Sequence, residues 1–270
     1  MASPGSVSQA DWLAFCKRAA EAAREAVAGY STTAERSVET GRGEGGDMAL
    51  VIDRAAEDAV FAELEALGAP VTAIAEERGE VELNGGGDTR VVIDPVDGSL
   101  NAKRGLPFAA VSIAVAQGSR MEDVIAGCVA EFDPPRDWWA ARGEGAFRAG
   151  ERLPALEPGR LELLGLETAR PEALAAAAEL IGTLDADRIR AFGSVAVTMC
   201  LVAAGELDAM ISLRTVRSVD AAAAQLIVRE AGGAVRFPAD DSLGLDMRSR
   251  VVAARDPGLL ERVLGHFGAD

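Results

Sequence analysis

Residues 91–105 read VVIDPVDGSLNAKRG, an apolar β-branched run that stops on a carboxylate. Val91–Ile93 predict a strand, and Asp94 stands at its end. Pro95 fixes the backbone at the turn. Asp97 follows three residues after Asp94, so two carboxylates leave one strand end within four residues, with the Val96 carbonyl between them. Oxygen ligands so spaced suit a hard divalent cation. Gly98 lets the backbone approach a ligand closely. Ser99 is placed to cap a helical turn whose N–H groups would face an anion. The segment therefore offers cation ligands beside a phosphate cradle. Asp-Pro and Asp-Gly are also ordinary turn chemistry, and taken alone the stretch reads as well as a strand closing on an Asx-rich turn.

Two further features favour the chemical reading. IAEERGE (74–80) follows a second apolar run, VTAIA (71–75), and puts Glu76 and Glu77 at its end. VDAAAAQLIVREAGG (219–233) opens a helix with Asp220. Three carboxylate clusters at element ends are what a two- or three-metal site requires.

The composition narrows the chemistry. The chain has 270 residues, 43 acidic against 27 basic, for a net charge of −16. Such a charge repels a phosphate backbone, so no nucleic-acid partner is expected. Lysine occurs only at Lys17 and Lys103, and arginine supplies the remaining positive charge. The single histidine, His266, lies four residues from the C-terminus. A Ser-His-Asp triad, a histidine zinc site and a phosphohistidine would all have to rest on it. None of Cys16, Cys128 and Cys200 is followed six residues later by Arg, which excludes a cysteine-phosphatase loop. The three cysteines are expected to be reduced and structural. No apolar run reaches the roughly 18 residues that span a bilayer, so no membrane partner is expected. MASPGSVSQADW at the N-terminus has neither a basic nor an apolar leader segment, and the expected compartment is the cytoplasm.

Helix formers fill 9–28, with Trp12, Ala19, Ala20, Ala23 and Val27 at helical spacing and Gly29 as a stop. A glycine-rich stretch, GRGEGGD (41–47), reads as a connection, a phosphate cradle or a lid. A second helix is expected over Asp53–Leu67 with Gly68 as its cap. The segments 71–75, 90–94, 109–116, 124–132 and 138–142 read as a meander of antiparallel strands. Trp138 and Trp139 cannot share a face of one strand, so one belongs to the core. Strands at 161–168, 207–212 and 250–254 then alternate with helices at 171–182, 194–205, 220–233 and 256–267. The expected division is an N-terminal half, 1–150, with the metal-binding motif and a C-terminal half, 151–270, that completes the site.

Asp94-Pro95-Val96-Asp97-Gly98-Ser99-Leu100-Asn101 resembles the D-P-[IVL]-D-G-[TS]-x-N motif of the inositol monophosphatase family of metal-dependent sugar and polyol phosphatases. VDAAAAQLIVREAGG resembles that family's second signature, and the likeness extends over about residues 10–255. It implies an α+β fold, a five-layer α-β-α-β-α sandwich, and a phosphoric monoester hydrolase that uses metal-activated water. It implies two or three Mg²⁺ ions, with Mn²⁺ as a substitute, held by Glu76, Asp94, the Val96 carbonyl, Asp97 and Asp220. Asp53 and Ser99 would orient the water, with Glu76 in the catalytic set. Val96, Asp97, Gly98, Ser99, Gly193, Ser194, Val195, Arg214, Arg217 and Asp220 would touch substrate. The expected partner is a small phosphate ester, inositol monophosphate or fructose 1,6-bisphosphate, and the expected assembly a homodimer.

The chain departs from the family pattern at three places. Val219 stands where a Trp usually precedes the second-signature Asp. A Lys often found before the second helix is missing, with Arg42 nearest. Seven residues before Asp220, where inositol-selective members carry Glu, stands Leu213. SLRTVRSVD supplies Arg214 and Arg217 instead, which suit a second phosphate or a surface ion pair. The alternatives are an adenosine 3′,5′-bisphosphate 3′-phosphatase and a catalytically silent binding paralogue, against which the intact carboxylates and Ser99 speak.

Overall fold

The computed structural model describes residues 7–168 and 170–267. Residues 1–6, part of the stretch read above for a leader, lie outside them. The helices are α1 (Gln9–Ala28), α2 (Thr33–Arg36), α3 (Val51–Leu67), α4 (Ser99–Arg104), α5 (Pro171–Thr183), α6 (Val195–Ala203), α7 (Ser218–Glu230) and α8 (Pro257–Phe267). A hairpin, β1 (Glu39–Arg42) and β2 (Met48–Leu50), precedes α3.

The larger sheet has eight strands: β3 (Val71–Ala75), β4 (Gly79–Leu83), β5 (Thr89–Asp97), β6 (Ala110–Gln117), β7 (Val124–Glu131), β8 (Arg136–Ala141), β9 (Gly145–Arg148) and β10 (Glu151–Arg152). Their order is β10-β9-β8-β7-β6-β5-β3-β4. From β5 to β10 this is the expected antiparallel meander. β3 and β5, however, run parallel. The reason is β4, GEVEL, which pairs antiparallel with the outer side of β3 and turns the chain round once more. Its alternating charges belong to a half-exposed edge strand.

The smaller sheet holds β11 (Leu163–Glu167), β12 (Arg188–Arg190), β13 (Ala209–Ser212), β14 (Ala234–Arg236) and β15 (Val252–Ala254), in the order β12-β11-β13-β15-β14. The α+β chain stacks as α1/α3, large sheet, α6/α7, small sheet and α5/α8, a five-layer α-β-α-β-α sandwich.

Local chemistry explains the layers. α1 starts in a capping box, Ser8 with Asp11, and buries Trp12, Phe15, Cys16, Ala19, Ala20, Ala23 and Val27 along one stripe. α7 is apolar almost all round because it lies between two sheets; Ala221–Ala224 and Leu226–Val228 are all buried. Gly127 on β7 admits it, since a Cβ there would lie 3.0 Å from the Ala223 Cα. The core between the sheets joins residues from both sides of the 150–160 boundary, among them Val92, Trp138, Val197, Ile227 and Ala253. Of the pair on β8, Trp138 is buried and Trp139 stacks on Phe147 under Lys17. The three cysteines are free and buried. No helix among the described residues is long and apolar enough to cross a membrane.

Candidate functional site

Parallel pairing decides where the acidic residues meet. Ala75 of β3 lies opposite Ile93 of β5, so both strands end on the same side of the sheet. Glu76 and Glu77 leave one end, and Asp94 leaves its neighbour. The first turn of α3 brings Asp53, its next turn Glu57, and the first turn of α7 brings Asp220.

The turn itself is tightly bonded. The Val96 N–H donates to Asp94 Oδ1 at 3.0 Å, and Ser99 Oγ donates to the Val96 carbonyl at 2.8 Å. Asp53 Oδ2 accepts the Leu50 N–H at 2.6 Å, while its Oδ1 is buried with no hydrogen-bond partner. Glu57 accepts the Glu77 N–H at 2.9 Å, and Glu77 Oε2 is also buried without a partner. Asp97 accepts from Ser194 Oγ and the Ala196 N–H, both at 2.6 Å, and from the Val195 N–H at 3.3 Å. It thereby ties the N-terminus of α6 to the end of β5, a favourable place for a carboxylate.

Burial and mutual repulsion raise these carboxyls. Burial, aided by Glu76, lifts Asp53 to about 7 despite the Leu50 N–H and the nearby Ser99 hydroxyl. Burial lifts Glu57 to about 7. Glu77 reaches about 8 through burial and then Glu76 and Asp53. Asp94 is driven well above the carboxylate range by burial, Glu76, Asp97 and Asp220. Asp97 rises to about 7 through burial and Asp220. Glu76 rises through burial, with Arg217 opposing.

Arg217 is the cation inside this group. Its Nη1 lies 2.6 Å from Glu76 Oε1 and 3.5 Å from Asp47 Oδ2, and its Nη2 lies 3.2 Å from Asp220 Oδ1. Burial would lower its pKa, but Asp220, Glu76 and Asp94 outweigh burial and raise it. Among the described residues, no three acidic, His or Cys side chains converge closely enough to hold an ion as they stand; Arg217 spans Glu76 and Asp220. The donor set still fits a hard cation in its chemistry. It is all oxygen, buried, mutually repelling, and leaves Asp53 Oδ1 and Glu77 Oε2 unpartnered.

The glycine turn is held from a second side. Gly98 has φ +87°, and a Cβ there would meet the Phe108 carbonyl at 2.7 Å and the Gly193 carbonyl at 3.2 Å. Asn101 donates to the carbonyls of Phe108 at 3.0 Å and Phe192 at 2.7 Å. Glu167, buried at the end of β11, accepts the N–H groups of Phe192 at 3.0 Å and Gly193 at 3.1 Å and the Thr198 hydroxyl at 2.7 Å. A cleft of about 510 Å³ opens here, lined by Asp97, Leu100, Asn101, Glu167, Gly193 and Asp220.

Most residues expected from the sequence lie here: Asp53, Glu76, Asp94, Val96, Asp97, Gly98, Ser99, Gly193, Ser194, Val195, Arg217 and Asp220. Arg214 does not. It is exposed, 3.6 Å from Glu172 of α5. Leu213 is buried and hydrogen-bonded through its N–H to the Glu167 carbonyl. The 41–47 stretch is a hairpin turn packed on the end of β3, where the N–H groups of Gly45 and Glu44 donate to the carbonyls of Glu76 at 2.8 Å and Glu77 at 3.2 Å. Sequence reasoning gave no role to Glu57, Asn101 or Glu167. Glu167 left one signal, a carboxylate closing an apolar strand as Asp94 does.

The chain matches the family model described as "Inositol monophosphatase family" over residues 8–269. It is 32% identical to a fructose-1,6-bisphosphatase/inositol-1-monophosphatase of Methanothermobacter thermautotrophicus, covering 94% of this chain and 95% of the relative. It is 34% identical to an inositol-1-monophosphatase of Mesorhizobium japonicum, covering 81% and 82%. Its fold is similar to the crystal structure of an inositol monophosphatase–fructose 1,6 bisphosphatase, with TM-score 0.80, 26% identity and coverage of 94% and 99%.

Proposed function

Because the chain belongs to the inositol monophosphatase family, we propose that this phosphatase hydrolyses a small polyol or sugar phosphate with Mg²⁺ as its cofactor. The observation that carries the reading is the group of buried, mutually repelling carboxylates beside the Gly98–Ser99 turn. Glu76, Asp94, Asp97, Asp220 and the Val96 carbonyl would hold two or three ions, with Mn²⁺ as a substitute. Bound Mg²⁺ supplies positive charge to the phosphoryl oxygens and acidifies a water.

The chain's own groups do the rest. Asp53 is pinned through Oδ2 by the Leu50 N–H, and its open Oδ1 is the acceptor for the proton of the attacking water. The water oxygen bonds to phosphorus, the ester P–O bond breaks, and the leaving alkoxide takes a proton from solvent. Ser99 holds the Val96 carbonyl and stands beside Asp53. The Gly98 and Ser99 amides and the Gly193–Val195 turn bind the phosphate. The working form is taken to be a cytoplasmic homodimer, with 1–150 and 151–270 both contributing to one site.

Leu213, buried where inositol-selective relatives carry a carboxylate, offers no acceptor to a substrate hydroxyl, which speaks against inositol monophosphate as the preferred substrate. Phosphate release from inositol monophosphate, fructose 1,6-bisphosphate, histidinol phosphate and adenosine 3′,5′-bisphosphate tests the reading, with Mg²⁺ and after metal stripping. Fructose 1,6-bisphosphate is expected to have the highest kcat/KM, and excess EDTA to abolish turnover. Full turnover in EDTA would sink the metal assignment; release from the adenosine compound alone would move the chain to the nucleotide reading.

A further inference from the structure

Arg217 occupies the oxygens that the proposed cofactor needs. The guanidinium lies 2.6 Å from Glu76 and 3.2 Å from Asp220, two residues from different layers of the sandwich. It is mostly buried, as are both partners. A guanidinium seated between these two carboxylates puts a positive charge where the ion would sit, and two cations in that space repel each other. We infer that Arg217 is a built-in competitor for the divalent cation, a tethered counter-charge that holds Glu76 and Asp220 together until an ion displaces it. The inference rests on the metal reading proposed above and concerns what this arginine does to the affinity.

Three observations support displacement over a fixed structural bridge. First, the guanidinium holds each carboxylate by one nitrogen only, Nη1 off-line to Glu76 Oε1 at 2.6 Å and Nη2 donating to Asp220 Oδ1 at a long 3.2 Å, so neither pair has the directional lock of a bidentate fork. Second, a third acidic partner is within reach. Asp47, exposed in the β1–β2 turn, lies 3.5 Å from the same Nη1 and stays outside the carboxylate group. Third, the turn over the guanidinium leaves no room for bulk. A Cβ on Gly45 would lie 2.8 Å from Arg217 Nη1, so the bare glycine leaves the guanidinium space that any side chain there would take. The backbone of Arg217 is anchored to the other oxygen of Asp220, its N–H donating to Oδ2 at 2.7 Å while the guanidinium faces Oδ1. The side chain can therefore move without unwinding the first turn of α7.

The energetic logic has two signs. Without an ion, removal of the arginine leaves Glu76 and Asp220 buried and uncompensated, which destabilises the fold. With an ion, the same removal abolishes the competition, and affinity for the ion rises.

The test uses Arg217→Met and Arg217→Lys in the full chain and measures Mn²⁺ binding by electron paramagnetic resonance of the free ion, with no substrate present. Arg217→Met is expected to bind Mn²⁺ about tenfold more tightly than wild type, equivalent to about 1.4 kcal/mol. Arg217→Lys, which keeps the charge but cannot span both partners, should fall between them. The metal-free Met variant should melt lower than wild type and gain more Tm on saturation with Mn²⁺. Guanidinium at sub-denaturing concentration should loosen Mn²⁺ binding by the Met variant more than KCl at equal ionic strength does. Equal or weaker Mn²⁺ binding by Arg217→Met, beside a wild type that binds the ion, overturns the inference and leaves the metal reading standing. If the Met variant does not fold, wild-type affinity in Arg217→Lys overturns it. Failure of the wild type to bind Mn²⁺ overturns both.

Discussion

Glu167→Gln changes one buried group that has no countercharge, which makes its effect on stability separable by pH. Glu167 accepts from two backbone N–H groups and the Thr198 hydroxyl, yet burial outweighs these contacts and lifts its pKa from 4.5 to about 7. The folded chain thus holds this proton more tightly than the unfolded chain does. Between pH 4.5 and about 7 the native state binds more protons at this position, so stability falls as pH rises through that window. At about 1.36 kcal/mol per pKa unit, the loss is about 3 kcal/mol, complete above the folded pKa. Glutamine keeps the shape and cannot ionise. It does lose an acceptor for the Phe192 and Gly193 N–H groups, a cost of about 1–3 kcal/mol that does not change with pH. The measurement is urea unfolding of wild type and variant near pH ~5 and pH ~8, compared as a difference of differences. The other carboxyls titrate in both proteins and largely cancel; Asp97, which Glu167 helps to raise, is the one that shifts with the substitution. The variant is expected to gain about 3 kcal/mol on wild type between the two pH values. A stability difference that is constant with pH, or that moves the other way, would refute the assignment of Glu167 as a buried, protonatable carboxyl.

Asp53→Asn should lower kcat by about 10²–10⁴-fold, the usual worth of a general base, with Tm unchanged or raised because a buried charge is removed; near-wild-type kcat would remove Asp53 from the chemistry. Ser99→Ala should cost about 10²–10³-fold in kcat if its bond to the Val96 carbonyl shapes the turn, by the measure of other single donors, and an unaffected kcat would argue against it. Arg214→Ala should shift stability by no more than about 0.5 kcal/mol and leave KM for fructose 1,6-bisphosphate and inositol monophosphate alike, since it forms an exposed pair with Glu172; a selective rise in KM for the bisphosphate would place it back in the site. Gly127→Ala should destabilise by about 1–3 kcal/mol, because its Cβ would press on Ala223 at 3.0 Å and push α7 off β7; an unchanged unfolding midpoint would show that the layers can part freely.

The sequence alone determined the long helices, the central strands and the family. Apolar stripes at helical spacing and β-branched runs between turn signals located α1, α3, α5, α6, α7 and α8 and most core strands to within a few residues. The family motif put Asp94, Asp97, Gly98 and Ser99 in one turn because these residues are neighbours along the chain, where local geometry leaves little choice. The strands that escaped, β1, β2, β4, β12 and β14, are short or lie at edges. Solvent and pairing partners set their conformation there, and their composition carries little hydrophobic signal.

What only the tertiary structure decided is which charges meet. β4, unread in the sequence, pairs outside β3 and makes β3 and β5 parallel, so Glu76 ends beside Asp94. Arg214 and Arg217 are equivalent as letters, three residues apart on one connection. The start of α7 carries Arg217 between Glu76 and Asp220, and Arg214 falls on the other side, against α5. Glu167 and Asn101 acquire roles only because β11 and α4 come to the same turn as Phe192 and Gly193. Periodicity reports the face a residue buries, which is a local property. The electrostatics of a site depend on through-space distances between segments far apart in sequence, and those distances are set by how the layers pack.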